Sequence, residues 1–128
     1  MPVVSAVVGL KGVASLVVTQ SDTAVAMGSG QVPVLATPRL VALCEQATCA
    51  ALDGHLGEGC TTVGMRVQLD HLQPTAVGGS VHAEALLEKI EGRRFTFTVS
   101  ASDDKGLVAA GKVTRVLVDV ARFLEKSG

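Results

Sequence analysis

Residues 37–54 read TPRLVALCEQATCAALDG, and this stretch decides the fold. Thr37 at the cap position and Pro38 at the first helical position predict where a helix begins, and the Asp-Gly pair that follows Leu52 predicts where it ends. Most positions in between are apolar, and Glu45 is the one charged residue beyond the first turn. A helix without a wide polar face is buried nearly all round, so we expect the rest of the chain to surround it.

The sequence on both sides of this helix has the two-residue period of β-strands. In the run FTFTVSAS at 95–102, apolar and polar residues alternate strictly. Residues 20–33 are small, polar and rich in glycine, which predicts a long loop before the helix, and 121–128 are expected to form a short tail. We expect one or two strands before the helix, the first at Val13–Thr19 and a short second one inside the loop at 20–33. Four strands are expected after the helix, at Thr61–Leu72, Ser80–Ile90, Arg93–Ser102 and Leu107–Asp119.

These elements predict an α+β fold in which five to six antiparallel strands form a curved sheet around a long central helix. Only a surrounding sheet buries an almost uniformly apolar helix on most of its sides. The alternative is a helix packed flat on a sheet, as in cone-shaped ligand-binding folds, and it requires a second subunit to cover the outer side of the helix. No linker or repeat marks a boundary, so we expect a single domain over residues 1–128.

The composition excludes several classes of function. Eleven Lys and Arg residues against twelve Asp and Glu residues give a formal net charge of −1, so the chain has no excess positive charge for binding nucleic acid. Trp and Tyr are absent and there are only three Phe residues, so stacking on bases is scarcely available. A nearly neutral chain that is 48% hydrophobic is also not expected to be disordered.

The cysteines and the N-terminus favour a cytoplasmic protein without a membrane anchor. Cys44, Cys49 and Cys60 are odd in number and lack metal-ligand spacing, which favours reduced thiols over disulfides or a zinc site. Residues 1–18 are apolar but have no basic start and contain Lys11, so we expect neither a signal peptide nor a membrane span. We expect no metal and no cofactor.

Glu45 is the first candidate for chemistry. A carboxylate inside an apolar helix loses several kcal/mol of hydration free energy unless it is paired, protonated or exposed to a cleft. A catalytic base is one explanation for such a residue, and an ion pair with a neighbouring Lys or Arg is another. The residues alone favour neither explanation.

His71 and Thr37 are the next candidates. His71 continues the row of alternating residues that starts at Val63 and lies at the end of a predicted strand. A lone histidine on an apolar face is more often a satisfied core residue than a catalyst, and a nearby carboxylate strengthens the catalytic interpretation. Thr37 is explained as a helix cap, yet the free N–H groups of a helix start also bind an oxyanion. Glu45 lies roughly 12 Å further along the helix axis, so we expect the two to flank one cleft without contact.

Four blocks of this sequence resemble the hotdog-fold thioesterases, and within them the group typified by bacterial fluoroacetyl-CoA thioesterase. The blocks are VLATPRLVALCEQA at 34–47, GMRVQLDHLQPTAVGG at 64–79, EGRRFTFTVSASDDKG at 91–106 and AAGKVTRVLVDVARF at 109–123. They cover most of the chain, and the spacing between them also fits the family. The resemblance implies a hotdog fold and hydrolysis of an acyl-CoA thioester.

The resemblance also implies a set of site residues. The family's catalytic Thr before the helix, Glu within it and His on the next strand correspond to Thr37, Glu45 and His71. Glu45 is expected to act as nucleophile or as the base that activates water, His71 to assist proton transfer, and Thr37 to orient Glu45 or the substrate. Gly64 resembles the family's backbone donor to the thioester carbonyl, and Arg115 corresponds to an Arg on the last strand; both are expected to bind substrate.

One segment departs from the family pattern. The fluoroacetyl-specific enzyme gates its acyl pocket with phenylalanines just before the catalytic Thr, whereas residues 27–36, MGSGQVPVLA, contain no aromatic side chain. We therefore expect a short- or medium-chain acyl group on coenzyme A. Two alternatives remain open: a non-catalytic module that binds an acyl thioester or another small ligand on the same fold, and a hydratase or dehydratase.

The expected partners are an acyl-CoA substrate and further copies of the chain, with no nucleic acid and no membrane. Hotdog domains resemble one another in pairing through their sheets, so we expect a homodimer or a dimer of dimers. Coenzyme A carries several phosphates, which need cationic side chains. The candidates are Arg66, Lys89, Arg93, Arg94 and Arg115.

Overall fold

Five strands and one long helix make up most of the part of the chain that the computed structural model describes, residues 5–128. Residues 1–4, which open the predicted domain, lie outside it. The strands are β1 (Lys11–Val17), β2 (Cys60–His71), β3 (Ser80–Glu91), β4 (Arg94–Asp103) and β5 (Gly106–Asp119), and the helices are α1 (Ala24–Met27), α2 (Thr37–Leu52) and α3 (Val120–Lys126). Each of the five strands predicted with bounds agrees with the observed one to within two residues at both ends.

The strands form one antiparallel sheet in the order β1-β3-β4-β5-β2, so β1 and β2 are its two edges. The strands alternate as their sequences predict: in β4, Phe95 and Phe97 point into the core and are buried, while the threonines between and after them face outward. Burying a side chain of this size stabilises the fold by about 1.5–3 kcal/mol. The apolar faces of the strands therefore together form one wall of the core.

Helix α2 lies on the inner face of the curved sheet and supplies the other wall of the core. Its residues Leu40, Leu43 and Ala47 are fully buried. Gly12 of β1 allows the closest approach, because a Cβ there would overlap the backbone oxygen of Ala47. The absence of a side chain at this position thus lets an edge strand pack directly on the helix backbone.

The expectation that α2 is buried nearly all round is wrong for the single chain. Gln46, Cys49 and Ala50 are exposed, and Val41 and Ala42 are only partly covered. The physical reason is that five strands curve along one side of the helix and do not close around it. The chain therefore leaves one side of a largely apolar helix uncovered.

The loop before α2 and the C-terminal segment both contain more helix than the sequence predicts. The loop at 20–33 holds a 3-10 turn (Gln20–Asp22) followed by α1, and the short second strand expected there is absent. The tail predicted at 121–128 is helical as far as residue 126, because α3 begins at Val120. The carboxylate of Asp119 caps this helix by accepting a hydrogen bond from the backbone N–H of Arg122. Within residues 5–128, no helix has both the length and the apolar character needed to cross a bilayer.

Candidate active site

A β-bulge in β2 determines which side chains face α2. Gly64 pairs with Arg115 and Arg66 with Thr114, so Met65 is an extra residue on the β2 side. Before the bulge Thr62 is buried, and after it the odd-numbered residues 67, 69 and 71 lie on the side of the helix. The predicted unbroken row from Val63 to His71 is therefore wrong at Val63, which lies between the helix-facing Thr62 and Gly64, and at Met65, which is 47% exposed. The reason is that one inserted residue reverses the alternation.

Thr37 and His71 form the first group of functional side chains, which we call the hydroxyl–imidazole pair. Thr37 Oγ1 and His71 Nδ1 are hydrogen-bonded at 2.8 Å. The expectation that Thr37 caps α2 is wrong: Ala36 occupies the cap position with extended backbone angles, and Thr37 is the first helical residue. The Thr37 hydroxyl is thus bonded to the end of β2 instead of to its own helix.

The second nitrogen of His71, Nε2, is buried and has no hydrogen-bond partner among residues 5–128. A buried polar atom without a partner costs free energy, so such atoms are rare in folded proteins. The imidazole borders a shallow cavity of about 240 Å³. The cavity is lined by Val34, Thr37, His71, Leu72, Gln73 and Pro74. One nitrogen of His71 is therefore fixed, while the other has bonding capacity left for a ligand.

Glu45 and Arg115 form the second group, the carboxylate–guanidinium pair. Arg115 Nη1 donates to Glu45 Oε2 at 3.0 Å, while Nε and Nη2 donate to the hydroxyl and carbonyl oxygens of Thr62 at 2.8 and 3.0 Å. The Arg115 side chain is 8% exposed and that of Glu45 is 32% exposed. Three hydrogen bonds fix the guanidinium, so the carboxylate that it holds is fixed as well.

Gly64 lies directly against this carboxylate. A Cβ on Gly64 would overlap Glu45 Oε2, and Gly64 is the strand partner of Arg115. Glycine at this position thus leaves room for the Glu45 side chain beside the backbone of β2. The position of Arg115 differs from that expected of a ligand for coenzyme A phosphates, because its guanidinium is buried and bonded to Glu45 and Thr62.

The structure therefore places the five predicted site residues in two groups, and Thr37 and Glu45 are not hydrogen-bonded to each other, as expected. In the described part of the chain, no hydrogen bond joins Thr37 or His71 to Glu45. Both groups lie between α2 and β2, and Thr37 and Glu45 are eight residues apart on the same helix. The sequence analysis did not predict Thr62, which holds Arg115. No sequence signal indicated this role, because the predicted inward row that starts at Val63 placed Thr62 on the outer face of the strand.

The cysteines take no part in either pair. All three are free thiols. Burial, and to a smaller extent the charge of the adjacent Glu45, raises the pKa of the Cys44 thiol to about 11, so this thiol stays protonated at neutral pH and is a poor nucleophile. Cys49 and Cys60 line a separate cavity of about 290 Å³ between the C-terminal half of α2 and the start of β2.

This chain is similar to known thioesterases in sequence and in structure. Residues 18–121 match the family model described as fluoroacetyl-CoA-specific thioesterase. Over 93 residues, which are 73% of this chain and 67% of the relative, it is 31% identical to the fluoroacetyl-CoA thioesterase of Streptantibioticus cattleyicolor.

Two solved structures extend the similarity to the fold. A mutant of the fluoroacetyl-CoA enzyme FlK in complex with acetyl-CoA has a TM-score of 0.88 and 26% identity, covering 95% of this chain and 96% of that one. A hot-dog-like protein from Thermanaerovibrio acidaminovorans has a TM-score of 0.85 and 28% identity, covering 94% of this chain and 89% of that one. The predicted hotdog fold, a central helix in a curled antiparallel sheet, is confirmed. The chain therefore belongs to the family of fluoroacetyl-CoA-specific thioesterases and is an acyl-CoA thioesterase.

Proposed function

We propose that this thioesterase acts on short- or medium-chain acyl-CoA and that Glu45, His71 and Thr37 carry the reaction, with free acid and coenzyme A as products. The observation that supports this assignment most directly is the fixed, partly exposed carboxylate of Glu45, which lies beside Gly64 and is held by Arg115, itself bonded to Thr62. A carboxylate in a fixed orientation next to a strand backbone is suited to attack a bound carbonyl or to deprotonate water.

Glu45 supplies the first step of the proposed mechanism. Its Oε2 is bonded to Arg115, which leaves Oε1 to act on the substrate. Oε1 either attacks the thioester carbonyl carbon or removes a proton from the water that attacks it. The backbone N–H of Gly64 is the proposed donor to the carbonyl oxygen, on which negative charge develops.

His71 and Thr37 supply the proton transfers. As the carbon–sulfur bond breaks, the thiolate of coenzyme A takes a proton from His71 Nε2, the ring nitrogen that has no partner among the described residues. Thr37 bonds the opposite nitrogen and thereby fixes the orientation of the ring. If Glu45 attacks, water then opens the resulting glutamyl anhydride: the free acid leaves, Glu45 returns to a carboxylate, and the proton that water loses passes to His71. If Glu45 instead activates water, the proton that it takes returns to His71 through solvent, because no hydrogen bond joins the two side chains in the described part of the chain. Both routes close the cycle without a cofactor.

The segment before Thr37 supports a substrate with a short- or medium-chain acyl group. It does not support strict selectivity for the fluoroacetyl group. Residues 27–36 contain no aromatic side chain, and Met27 and Val32 are exposed. Flexible and branched aliphatic side chains leave space that aromatic rings would fill. We expect a wider acyl pocket than one closed by phenylalanines.

We also propose that the active form is a homodimer or a dimer of dimers. The edge strand β2 is 12 residues long, and an open edge of this length is normally covered in stable proteins. The uncovered side of α2 lies next to it, with Cys49 and Ala50 exposed. A second copy would cover both surfaces. Sedimentation equilibrium tests this proposal, and a species of 13.1 kDa at micromolar concentration would contradict it.

The free thiols also support the expected cytoplasmic location.

Free-thiol release from acetyl-, fluoroacetyl-, butyryl-, hexanoyl- and phenylacetyl-CoA tests the proposed function. We expect turnover of at least one unfluorinated ester by the wild type, loss of turnover in Glu45→Gln and His71→Ala, and wild-type turnover in the matched controls Glu58→Gln and His55→Ala. Reduced protein without substrate corrects for the thiols of the protein. If no ester releases thiol above this background, the assignment is wrong and a binding module becomes the better interpretation.

A further inference from the structure

The connection between β2 and β3, residues 72–79, forms part of the shallow cavity at His71. Its first three residues line the cavity together with Val34 and Thr37. Within this connection Thr75 is buried and only 4% exposed, whereas the other seven residues are exposed or partly exposed. A buried hydroxyl in an exposed segment needs a hydrogen-bond partner. Thr75 is therefore the point at which this connection is anchored to the rest of the fold.

The Thr75 side chain is bonded to the end of β4. Thr75 Oγ1 donates to Asp103 Oδ2 at 2.9 Å, and Asp103 Oδ1 accepts from the backbone N–H of Lys105 at 2.9 Å. The bond from Lys105 is the largest of the effects that hold the pKa of this carboxyl below its usual value, so the group is ionised at neutral pH. Both oxygens of a charged carboxylate are thus engaged, and hydrogen bonds to a charged acceptor are the stronger kind.

The backbone of Thr75 is bonded to the segment that precedes α2. Its carbonyl oxygen accepts from the backbone N–H of Leu35 at 2.8 Å, and the next residue pair forms an antiparallel bridge. Leu35 is 1% exposed and lies two residues before Thr37. Thr75 itself lies four residues after His71. One buried residue therefore ties together the two stretches of chain that carry the hydroxyl–imidazole pair.

We propose that Thr75, held by Asp103, is a positioning residue that fixes the segments of Thr37 and His71 relative to each other and thereby orients the imidazole. The inference deepens the proposed function of His71 and rests on it. In the part of the chain that the structure describes, neither Thr75 nor Asp103 lines the cavity or bonds to Thr37 or His71, so the effect passes through the backbone. A pair joined by one hydrogen bond depends on the placement of the segments on both sides of it.

The first test compares two substitutions of Thr75. Thr75→Val keeps the branched shape of the side chain and loses the hydroxyl, and Asp103 is partly exposed, so water can replace the lost donor. With the fastest ester of the panel, we expect kcat to fall roughly threefold to fivefold while KM changes little. Thr75→Ser retains the hydroxyl and should keep most of the kcat. Equal losses in the two variants would assign the effect to packing of the methyl group and overturn the proposal.

Thr98→Val is the matched control. The Thr98 hydroxyl also donates to a carboxylate, that of Glu88, at 2.6 Å, but it lies on the outer face of β4. This variant should keep the kcat of the wild type. A double-mutant cycle of Thr75→Val with Thr37→Ala adds a readout that a merely structural role would not move: the two losses in kcat should not add, because both act on the imidazole. Additive losses would overturn the proposal.

A second measurement does not depend on activity. The nitrogen-15 chemical shifts of the His71 ring, assigned with His71→Ala, report its tautomer and hydrogen bond. They should change in Thr75→Val and stay as in the wild type in Thr98→Val, with His55 unchanged in both. If no ester is hydrolysed but the shifts change in this manner, the positioning role stands and the proposed function fails. Unchanged His71 shifts in folded Thr75→Val would overturn the proposal. If urea unfolding shows that Thr75→Val does not fold, Asp103→Asn, which removes the charge of the same acceptor, is judged by the same shifts.

Discussion

The two pairs of site residues differ in how tightly the protein holds them. The carboxylate–guanidinium pair is ionic, and its Arg115 is buried and makes three hydrogen bonds. The hydroxyl–imidazole pair is joined by one hydrogen bond at the start of α2 and leaves one nitrogen of His71 without a protein partner. The difference fits two kinds of chemistry. In the proposed mechanism, an attacking carboxylate needs a fixed orientation, whereas an imidazole that donates and accepts protons needs one ring nitrogen without a protein partner.

The largest effect is expected from Glu45→Gln in the tightly held pair. The amide oxygen still accepts a hydrogen bond from Arg115, but the side chain no longer acts as a nucleophile or base. We expect kcat/KM for thiol release to fall roughly 10²- to 10⁴-fold while the free energy of unfolding changes little. Urea unfolding of the same variant provides the stability control. A loss below tenfold in a folded variant would remove Glu45 from the mechanism.

The second effect concerns the loosely held pair. We expect His71→Ala to lower kcat roughly 10²-fold because the leaving thiolate loses its proton donor. Thr37→Ala should cost less, about tenfold, since it only frees the ring to rotate. A double-mutant cycle tests their coupling: the two losses should not add, because Thr37 acts through His71. Additive losses would show that the two residues work independently.

The third effect separates activity from stability at Arg115. Arg115→Met removes three hydrogen bonds and leaves Glu45 and Thr62 without this partner, so we expect a loss of about 1–3 kcal/mol in the free energy of unfolding. Because Glu45 is one-third exposed, water replaces part of what is lost. The kcat should fall roughly tenfold to 10²-fold, the upper value being the loss that a misplacement of about 1 Å can cause. Arg115→Lys should recover part of the activity. If Arg115→Met kept the full kcat, the orientation of Glu45 by Arg115 would not determine the rate.

Gly64→Ala and Gly12→Ala form a matched pair with opposite expected results. The new Cβ at Gly64 meets the end of a flexible side chain, so Glu45 moves and kcat/KM falls several-fold while the protein keeps its stability. The new Cβ at Gly12 meets the backbone of α2, which does not yield, so stability falls and the kcat of the folded fraction is kept. Thermal unfolding and thiol release measure both variants. The reverse outcome would contradict the placement of the Glu45 carboxylate beside Gly64.

The smallest effect is expected at the segment that precedes Thr37. Hydrogen bonds from the backbone N–H and hydroxyl of Thr19, with a further contribution from Arg39, hold the pKa of Asp22 below its usual value. A lowered pKa in the folded state means that this carboxylate adds stability above its unfolded pKa, and that the contribution disappears as the pH falls through the folded value. In Asp22→Asn, the acid-induced loss below about pH 4 should be slightly shallower than in the wild type, as urea midpoints would show. A steeper acid-induced loss of stability in Asp22→Asn would contradict the lowered pKa of Asp22.

The sequence predicts the fold well and the site in part. Strand ends are predicted to within two residues because alternation and turns are local signals. The contact of Arg115 with Glu45 joins residues 70 positions apart, and no local pattern indicates it. Thr37 is wrongly predicted to cap α2, because its hydroxyl is hydrogen-bonded to His71 on β2 instead. The family resemblance implies Thr37, Glu45 and His71 as site residues, and it does not indicate that they lie in two groups.

The extra residue in β2 makes the site sensitive to chain length at one point. Met65 lies between Gly64, which faces Glu45, and Arg66, where pairing resumes. Gly64 and His71 are seven residues apart, so an unbroken alternation would turn one of them away from α2, and the extra residue is what lets both face the helix. The bulge therefore brings the two pairs onto one side of the strand, whereas substitutions at the exposed Met65 leave the bulge in place. Among related proteins, the alignment of this strand should be anchored on the bulge and not on the strand ends.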